Sequence, residues 1–364
     1  MRVLALSSYP AESAATRFRV EQFVGPLAER GVRLDVSPFL DGGSFDRLYA
    51  GGGVRLAAAS VAPFIRRLGG VLSARRYDAL FIQREAMFFG PELFERLYAA
   101  AGGLPIVLDL DDATYVPYTS PSFGRLARAL KFVGKTNRLI DRAAAVTCGN
   151  RFIAEYVERR GGRAVVIPPV ADTDIFRPID PSNPVPVIGW VGTHSTYPSL
   201  AWLIPVLQSL ASEHRFHLRI VGSGLESGSI EGVDAGWLPW SLEREVADFQ
   251  QLDIGLYPIV TSPSANEEWL RGKSGFKAVQ YMAVGVPFVM SPVGVCSEMG
   301  EAGRTHLNAE TAEDWYNSLS RLLEDSDLRR QMGAAGRKFA LEHNTVEEQA
   351  DKLAEVFRSL GSEN

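Results

Sequence analysis

The sequence of 364 residues has only two cysteines, Cys148 and Cys296. Two cysteines provide neither a disulfide framework nor a zinc cluster, and such scarcity is typical of the reducing cytosol. No apolar run reaches the roughly 18 residues that a membrane-spanning helix needs. Residues 1–30 begin with a strand pattern and continue with charged residues, so no signal peptide is predicted. A cytoplasmic protein is the simplest expectation.

Two common phosphate-binding motifs are also missing. The chain has no G-x-G-x-x-G fingerprint of a dinucleotide-binding unit. Gly272-Lys273-Ser274 resembles the end of a P-loop, but that motif requires glycine at position 267, which is Glu267 here. Nucleotide binding would therefore have to use other residues. No internal repeat or low-complexity segment stands out.

The length of the chain suggests two domains, each with a sizeable core. Hydrophobic residues make up 46% and charged residues 22% of the sequence, as in ordinary globular proteins. Residues 1–180 have 24 basic and 19 acidic side chains, whereas the remaining residues have 14 and 24. A basic half joined to an acidic half favours an anionic partner for the first half, with chance variation as the alternative. No nucleic-acid partner is predicted.

Short apolar runs alternate with helical patterns along both halves of the chain. One alternating series fills residues 1–170 and a second starts at Val187. Such alternation indicates α/β architecture with parallel sheets that helices cover on both faces. Residues 171–186 contain four prolines and few apolar residues, as expected of a linker. We therefore predict domains at 1–170 and 187–345, followed by a C-terminal helix within 346–364.

The sequence predicts the bounds of three helices in the first half. One is predicted over about Ala15–Glu29. A longer helical stretch fills Val54–Arg76 and is expected to break near Pro63 and Gly69-Gly70. A basic helix is predicted over Phe123–Ala143.

The most informative stretch is 267–287, where a polar segment, a short helix pattern and an apolar strand follow each other. The helix pattern starts at Phe276 and Gly285 stops it. Free backbone N–H groups and a partial positive charge make a helix N-terminus suitable for a diphosphate. Gly275 permits close approach of a ligand. Nearby positive charge comes from Arg271, Lys273 and Lys277. An ordinary βα connection with solvated basic residues is the alternative interpretation.

Small and polar residues follow two predicted strands of the second half. Val187–Val191 leads into Gly192, Thr193 and His194, and a later strand ends at Gly222. Ligands of open α/β sheets bind at the carboxyl ends of strands, so both loops are candidates for a ligand site. A plain surface or capping role is the alternative for the histidine.

Residues 282–287, Met-Ala-Val-Gly-Val-Pro, end the informative stretch. The stretch resembles the donor-site segment of the retaining family 4 glycosyltransferases, usually Glu-Gly-Phe-Gly-x-x-x-x-Glu-Ala-Met-Ala-x-Gly-x-Pro. The family's first Glu, which touches the donor sugar, falls on Gly272. Its second Glu, which holds the ribose hydroxyls, falls on Gln280, which can still hydrogen-bond a diol without charge. Residues 167–176 likewise resemble the interdomain segment of that family.

The resemblance implies the GT-B fold, in which two Rossmann-like doubly wound parallel-sheet domains face a central cleft. The final helix would cross back to the first domain. The implied reaction moves a sugar, with retention of configuration, from a nucleoside diphosphate sugar (UDP or GDP) to a glycan, lipid-linked or small-molecule acceptor. No metal and no cofactor beyond this donor substrate is expected.

The resemblance also assigns residues to the donor. In the family an arginine and a lysine clamp the donor phosphates, but here Thr193 takes the arginine position and no lysine follows nearby. Arg271 and Lys273 are expected to replace them as catalytic residues. Core packing is the more common role for a tryptophan such as Trp237, which corresponds to a segment near the nucleobase. The expected donor-binding residues are Gly192, Thr193, His194, Gly222, Trp237, Leu238, Ser274, Gly275, Phe276, Lys277 and Gln280.

The acceptor is expected in the first half, where a strand pattern ends in Asp109-Leu110-Asp111-Asp112. This run resembles the metal-binding Asp-x-Asp of GT-A glycosyltransferases, but two doubly wound halves favour GT-B. Many family 4 enzymes place a histidine near the reacting sugar, and the first half has none. Asp112 is therefore a catalytic candidate, with a turn-capping acid as the alternative. The expected acceptor-side residues are Arg17, Arg19, Arg84 and Asp111.

Residues 123–142 carry six basic side chains and one acid, together with an apolar stripe. A basic amphipathic helix can lie on an anionic membrane surface. This pattern predicts a peripheral contact with the inner face of the membrane. A helix whose apolar side packs on the sheet is the alternative.

Two other functional classes remain open from the sequence. The missing motif glutamates and histidine also suit a non-catalytic nucleotide-sugar binder or a partner subunit of an active transferase. A GT-B epimerase or phosphorylase acting on related donors is the third possibility.

Overall fold

The computed structural model describes residues 1–49, 53–116, 132, 134–260, 267–343 and 345–361. The chain divides into two compact units, each with its own sheet. Unit 1 comprises Met1–Pro169, Gly272–Ser274 and Val346–Asn364, and unit 2 comprises Val170–Arg271 and Gly275–Thr345. Among the described residues, no helix is long and apolar enough to cross a membrane.

Unit 1 is built on a six-stranded parallel sheet with the order β2-β1-β3-β4-β5-β6. Every residue of β3, β4 and β5 is buried, because a parallel sheet covered on both faces selects continuous apolar runs. The strands are β1 (Arg2–Ser7), β2 (Arg33–Pro38), β3 (Ala79–Gln83), β4 (Ile106–Leu110), β5 (Ala145–Cys148) and β6 (Ala164–Val166).

Eight helices are described in unit 1. They are α1 (Ala14–Arg19), α2 (Val24–Glu29), α3 (Gly42–Tyr49), α4 (Gly53–Gly70), α5 (Leu93–Gly102), α6 (Lys135–Ile140), α7 (Arg151–Arg159) and α14 (Val346–Ser359). The C-terminal helix α14 is part of this unit, where the ring of Phe357 packs edge-on against Phe81 at 5.7 Å. Arg30 joins the same helix through ion pairs to Glu347 and Asp351.

Unit 2 has a second six-stranded parallel sheet, with the order β12-β11-β10-β7-β8-β9. The strands are β7 (Val187–Val191), β8 (His217–Val221), β9 (Ala235–Leu238), β10 (Ile254–Tyr257), β11 (Phe288–Met290) and β12 (Leu307–Asn308). The helices are α8 (Tyr197–Glu213), α9 (Glu245–Gln250), α10 (Glu267–Arg271), α11 (Phe276–Val284), α12 (Ala312–Glu324) and α13 (Ser326–His343). The predicted α/β architecture with two parallel sheets is thus confirmed.

Three helix predictions differ from the structure. The single helix over about 15–29 is wrong, because a 3-10 turn at Glu21–Phe23 separates α1 from α2. Pro26 explains the break, since proline cannot donate the helical hydrogen bond to residue 22. The break expected near Pro63 is absent, because α4 continues through this proline to Gly70. A 3-10 turn, Val71–Arg76, follows.

The basic helix predicted over Phe123–Ala143 lies mostly outside the described residues. Its described part is helical only over Lys135–Ile140 and starts after Gly134, which has a φ of +88°. A continuous helix through this glycine is therefore wrong, because an α-helix needs negative φ.

Candidate functional site

The loop after β7 places Gly192, Thr193 and His194 at the carboxyl end of a central strand of unit 2. The Thr193 carbonyl accepts hydrogen bonds from the backbone N–H of Thr196 (2.9 Å) and of Tyr197 (3.0 Å). This turn starts α8. Thr193 and His194 are exposed, and the Thr193 hydroxyl lies 2.8 Å from that of Ser195.

The loop after the neighbouring strand β8 touches the β7 loop. Gly222 has a φ of +78°, and a Cβ there would lie 2.4 Å from the carbonyl oxygen of Gly192. A larger residue would clash with this backbone, so glycine is required for the close approach. A Cβ on Gly224 would lie 2.8 Å from Cβ of His194. The structure thus brings together Gly192, His194 and Gly222, which were predicted from separate strands.

Trp237 and Leu238 lie on the edge strand β9, next to β8. The Leu238 carbonyl accepts a hydrogen bond from the N–H of Gly222 at 2.9 Å. Trp237 is half-buried against the main core of unit 2, and a Cβ on Gly228 would lie 2.9 Å from its ring. Its ring therefore contributes to packing, as the core interpretation expected.

The N-terminus of α11 is formed by the segment that the sequence singled out. Gly275 precedes this helix with a φ of +68°, and no side chain caps the helix. Phe276, its first residue, and Lys277 are both half-buried. A Cβ on Gly275 would lie 2.7 Å from Met299 and 2.9 Å from Val295. Backbone N–H groups without a side-chain cap give this end of the helix the character of an anion site.

Arg271 and Lys273 precede this helix. Arg271 ends α10 and is exposed, whereas Lys273 and Ser274 are half-buried. The Lys273 carbonyl accepts a hydrogen bond from Nδ2 of Asn150 at 3.1 Å, within unit 1.

A buried polar cluster that the sequence did not predict surrounds Gln280. This fully buried side chain accepts a hydrogen bond from Nζ of Lys277 (2.8 Å) and donates one to Oε1 of Glu245 (3.4 Å). Glu245 is 3% exposed and begins α9. Nζ of Lys277 also lies 5.0 Å from the ring centre of Phe249, within the range of a cation–π contact. Glutamate is common in the first turn of a helix, so the sequence pattern around Glu245 does not indicate a role in a binding site.

In unit 1 the acidic run after β4 is paired with arginines. Arg84 donates to Oδ1 (2.5 Å) and Oδ2 (2.6 Å) of Asp111 and to Oδ2 of Asp112 (2.7 Å). Burial alone would raise the pKa of Asp111. The charge of Arg84 and its hydrogen bonds act in the opposite direction and together outweigh burial, so the pKa of Asp111 lies below its ordinary value. Arg84 itself has a φ of +59°, a strained conformation for a residue other than glycine. Arg84 is therefore paired with the two aspartates that follow β4.

Arg19 and Arg17 lie at different depths. Arg19 is 3% exposed and forms two hydrogen bonds to Asp109, at 3.0 and 2.5 Å, and one to the carbonyl of Ile167. All three nitrogens of its guanidinium are used in these bonds, so Arg19 forms a buried ion pair inside the unit. Arg17 donates to the carbonyls of Ala11 and Glu12, in the loop before its own helix.

No group of three or more His, Cys, Asp or Glu side chains suited to a metal ion occurs among the described residues. Asp109 in β4 is paired with Arg19, and Asp111 and Asp112 after this strand are paired with Arg84.

Comparison with solved structures identifies the fold. HepE of Anabaena, in complex with UDP-glucose, has a TM-score of 0.69 at 16% identity and covers 99% of this chain and 100% of its own. Sucrose-phosphate synthase of Thermosynechococcus elongatus has a TM-score of 0.66 at 15% identity, with 100% of both chains covered. A glycosyltransferase of Rickettsia africae has a TM-score of 0.65 at 12% identity and covers 100% of this chain and 99% of its own. The chain has the GT-B fold.

Comparison with protein-family models relates part of the sequence to a class of enzymes. Residues 185–325 match the family model described as glycosyl transferases group 1. No curated protein sequence matches the chain. The matched range contains the loops after β7 and β8, the N-terminus of α11 and the cluster around Gln280. The family match and the fold together support a GT-B glycosyltransferase.

Proposed function

We propose that the protein transfers a sugar from a nucleoside diphosphate sugar to a glycan acceptor, with retention of configuration and without a metal. The observation that carries this proposal is the cluster of Lys277, Gln280 and Glu245 next to an uncapped helix N-terminus, all within the group 1 domain. An anion site and a buried hydrogen-bonding cluster together suit a donor that combines a diphosphate with a ribose.

The ribose would be held by Gln280 and Glu245. The family pattern has glutamate at position 280, whereas this chain has a neutral amide there. Glu245 supplies a carboxylate within 3.4 Å of that amide, so charge is present although the motif residue is not. A carboxylate accepts two hydrogen bonds from a diol better than an amide alone.

The diphosphate would be held by the backbone N–H groups at the start of α11, together with Arg271 and Lys273. In the reaction the bond between the anomeric carbon and the diphosphate oxygen breaks, and the acceptor oxygen bonds to that carbon. Negative charge develops on the leaving diphosphate, and cations held next to it lower the barrier. In a single displacement, retention requires attack from the face that the diphosphate leaves, where a phosphate oxygen can take the proton of the acceptor hydroxyl.

The other donor residues have simpler roles in this proposal. Gly192 and Gly222 let the loops after β7 and β8 pack closely at the carboxyl ends of these strands, and Thr193 and His194 offer hydrogen bonds. Leu238 presents its backbone to the base, while Phe276 and Ser274 flank the diphosphate. We assign Asp112 to the acceptor side with Arg84 and Asp111. The buried Arg19 supports this group through Asp109 without touching a ligand.

A non-catalytic nucleotide-sugar binder is the second candidate, because Gly272 replaces the glutamate that touches the donor sugar. A Cβ at this position would lie 2.2 Å from Cβ of Ala113, so no side chain fits there without movement. A panel of UDP, GDP and ADP with their sugars, tested by titration calorimetry and then for donor consumption, separates the two. Binding followed by consumption of the donor supports the transferase, and tight binding without consumption supports the binder.

A further inference from the structure

Helix α4 and the 3-10 turn after it expose a row of large apolar side chains. Val61, Ile65, Leu68 and Leu72 are 58%, 64%, 50% and 75% exposed. Val61, Ile65 and Leu68 are spaced four and three residues apart, which places them on one face of α4, and Leu72 lies in the 3-10 turn that follows. Exposed apolar side chains grouped in this way are a candidate interaction surface.

The opposite face of α4 is fixed inside unit 1. Arg67 is 3% exposed and donates to the carbonyl of Ser7 at 3.0 Å. The ring of Phe64 packs edge-on against Phe94, with 5.0 Å between their centres. The apolar row is therefore exposed on a helix whose inner face is already packed in this unit.

The sequence around this row is strongly positive. The stretch from Arg47 to Tyr77 contains no acidic residue, and its arginines are Arg47, Arg55, Arg66, Arg67, Arg75 and Arg76. Arg66, Arg75 and Arg76 are exposed. Arg66 has an ion pair with Asp41 at 3.6 Å, with both side chains about half exposed, and pairs of this kind are weak. The row thus lies among cations that solvent can reach.

The segment first predicted to meet a membrane does not offer the same arrangement in its described part. Lys135 is buried, where Nζ donates to the carbonyl of Met87 (2.8 Å) and pairs with Glu95 and Glu85. Arg138 pairs with Glu92 at 2.9 Å. Lys135 is therefore not available to lipid headgroups, and Arg138, although 42% exposed, is already paired with a buried glutamate.

We propose that the row of Val61, Ile65, Leu68 and Leu72 docks on an anionic lipid bilayer. The apolar side chains would enter the headgroup region, and Arg66, Arg75 and Arg76 would meet the lipid phosphates. Charge complementarity selects this occupant. A second copy of the chain docked through the same face would bring two sets of arginines together, because a two-fold interface pairs a surface with itself.

Vesicle co-sedimentation of the full chain tests this proposal without measuring activity. Vesicles of phosphatidylcholine mixed with phosphatidylglycerol should bind the protein, and binding should fall as salt is raised. Vesicles of phosphatidylcholine alone should bind it much less. Changing Ile65→Ser and Leu72→Ser together should weaken partitioning by roughly tenfold or more, because both side chains lose their insertion energy.

Matched variants separate docking from general surface effects. Ile175→Ser changes an isoleucine that is 57% exposed in unit 2, and it should leave vesicle binding unchanged. Changing Arg75→Ala and Arg76→Ala should reduce binding to the mixed vesicles by roughly tenfold, whereas Arg330→Ala should not. Circular dichroism and thermal melting check that each variant is folded, as expected for exposed positions.

Three outcomes would overturn the proposal. The first is that the wild-type chain does not bind the mixed vesicles. The second is that both double variants bind as tightly as the wild type. The third is a dimer in sedimentation velocity that Ile65→Ser with Leu72→Ser dissociates, which would make this face an interface between copies.

Discussion

Gln280 donates its fully buried side-chain amide to the carboxylate of Glu245 at 3.4 Å, although the two residues are 35 positions apart in the chain. Lys277 donates to the oxygen of the same amide at 2.8 Å. The amide is therefore held between a cation and an anion, which fixes its orientation. A second helix supplies the negative charge that the resemblance places at position 280.

Glu245→Gln is expected to weaken binding of a nucleoside diphosphate by roughly tenfold, the cost of about one charged hydrogen bond. The same variant should discriminate less between the ribose and 2′-deoxyribose forms of the nucleotide. Titration calorimetry with both forms measures this. Glu243→Gln, two residues away and exposed, is the matched control. Unchanged affinity and unchanged discrimination in Glu245→Gln would remove this residue from the site.

Lys273→Ala is expected to lower turnover by about 100-fold, roughly 3 kcal/mol, because the leaving diphosphate loses a nearby cation. The measurement is the steady-state rate of nucleotide release from the donor that binds. Lys338→Ala removes a side chain that is 66% exposed on α13 and should have the rate of the wild type. A Lys273→Ala enzyme within threefold of the wild type would exclude this role.

Gly275→Ala is expected to lower both thermal stability and turnover, because the new Cβ meets Met299 and Val295 in a left-handed conformation. Gly303→Ala is the matched control, since Gly303 has a φ of +81° but nothing within 4 Å of the added Cβ. Both variants carry the cost of positive φ, about 1 kcal/mol. Only Gly275→Ala should also lose turnover. An equal loss of turnover in Gly275→Ala and Gly303→Ala would mean that backbone strain alone is responsible.

Asp111→Asn is expected to destabilise the fold by about 3 kcal/mol at pH 7, because it leaves Arg84 without its main partner. The folded pKa of Asp111 lies below its ordinary value, so its contribution is present above about pH 4 and is lost as the pH falls through the folded pKa. Denaturant unfolding at several pH values should show the difference between variant and wild type shrinking in strong acid.

The exposed pair of Asp141 with Arg160 provides the comparison for that experiment. The Asp141 side chain is 47% exposed, so Asp141→Asn should cost less than about 1 kcal/mol. An equal loss of unfolding free energy in the two variants would mean that the buried cluster around Arg84 contributes no more to stability than an exposed ion pair.

The sequence predicted most of the fold because continuous apolar strands and helical periodicity are local signals. It located the loops after β7 and β8 and the start of α11 for the same reason, since strand ends and glycines can be read from neighbouring residues. Glu245 could not be found in this way. We propose it for the site because it contacts Gln280 across the fold, and a glutamate in the first turn of a helix has no distinctive pattern.

Two other differences have equally physical causes. Arg19 and Lys135 were interpreted as cations able to meet ligands or lipid, but both are buried against carboxylates from distant strands and helices. A basic residue shows its charge in the sequence but not its partner. The apolar row of Val61, Ile65, Leu68 and Leu72 is a different case. The spacing of these residues is visible in the sequence, but their exposure is known only from the packing of α4.

Nuclear magnetic resonance of a donor reaction, on wild type and on Glu245→Gln, tests the central claim most directly. The donor is the nucleotide sugar that binds in calorimetry, and the anomeric proton of donor and product is followed with time. We expect the wild type to release the nucleoside diphosphate and to form a product with the anomeric configuration of the donor, and Glu245→Gln to do so more slowly at limiting donor. A bound donor that is never consumed, or a product of inverted configuration, would contradict the account.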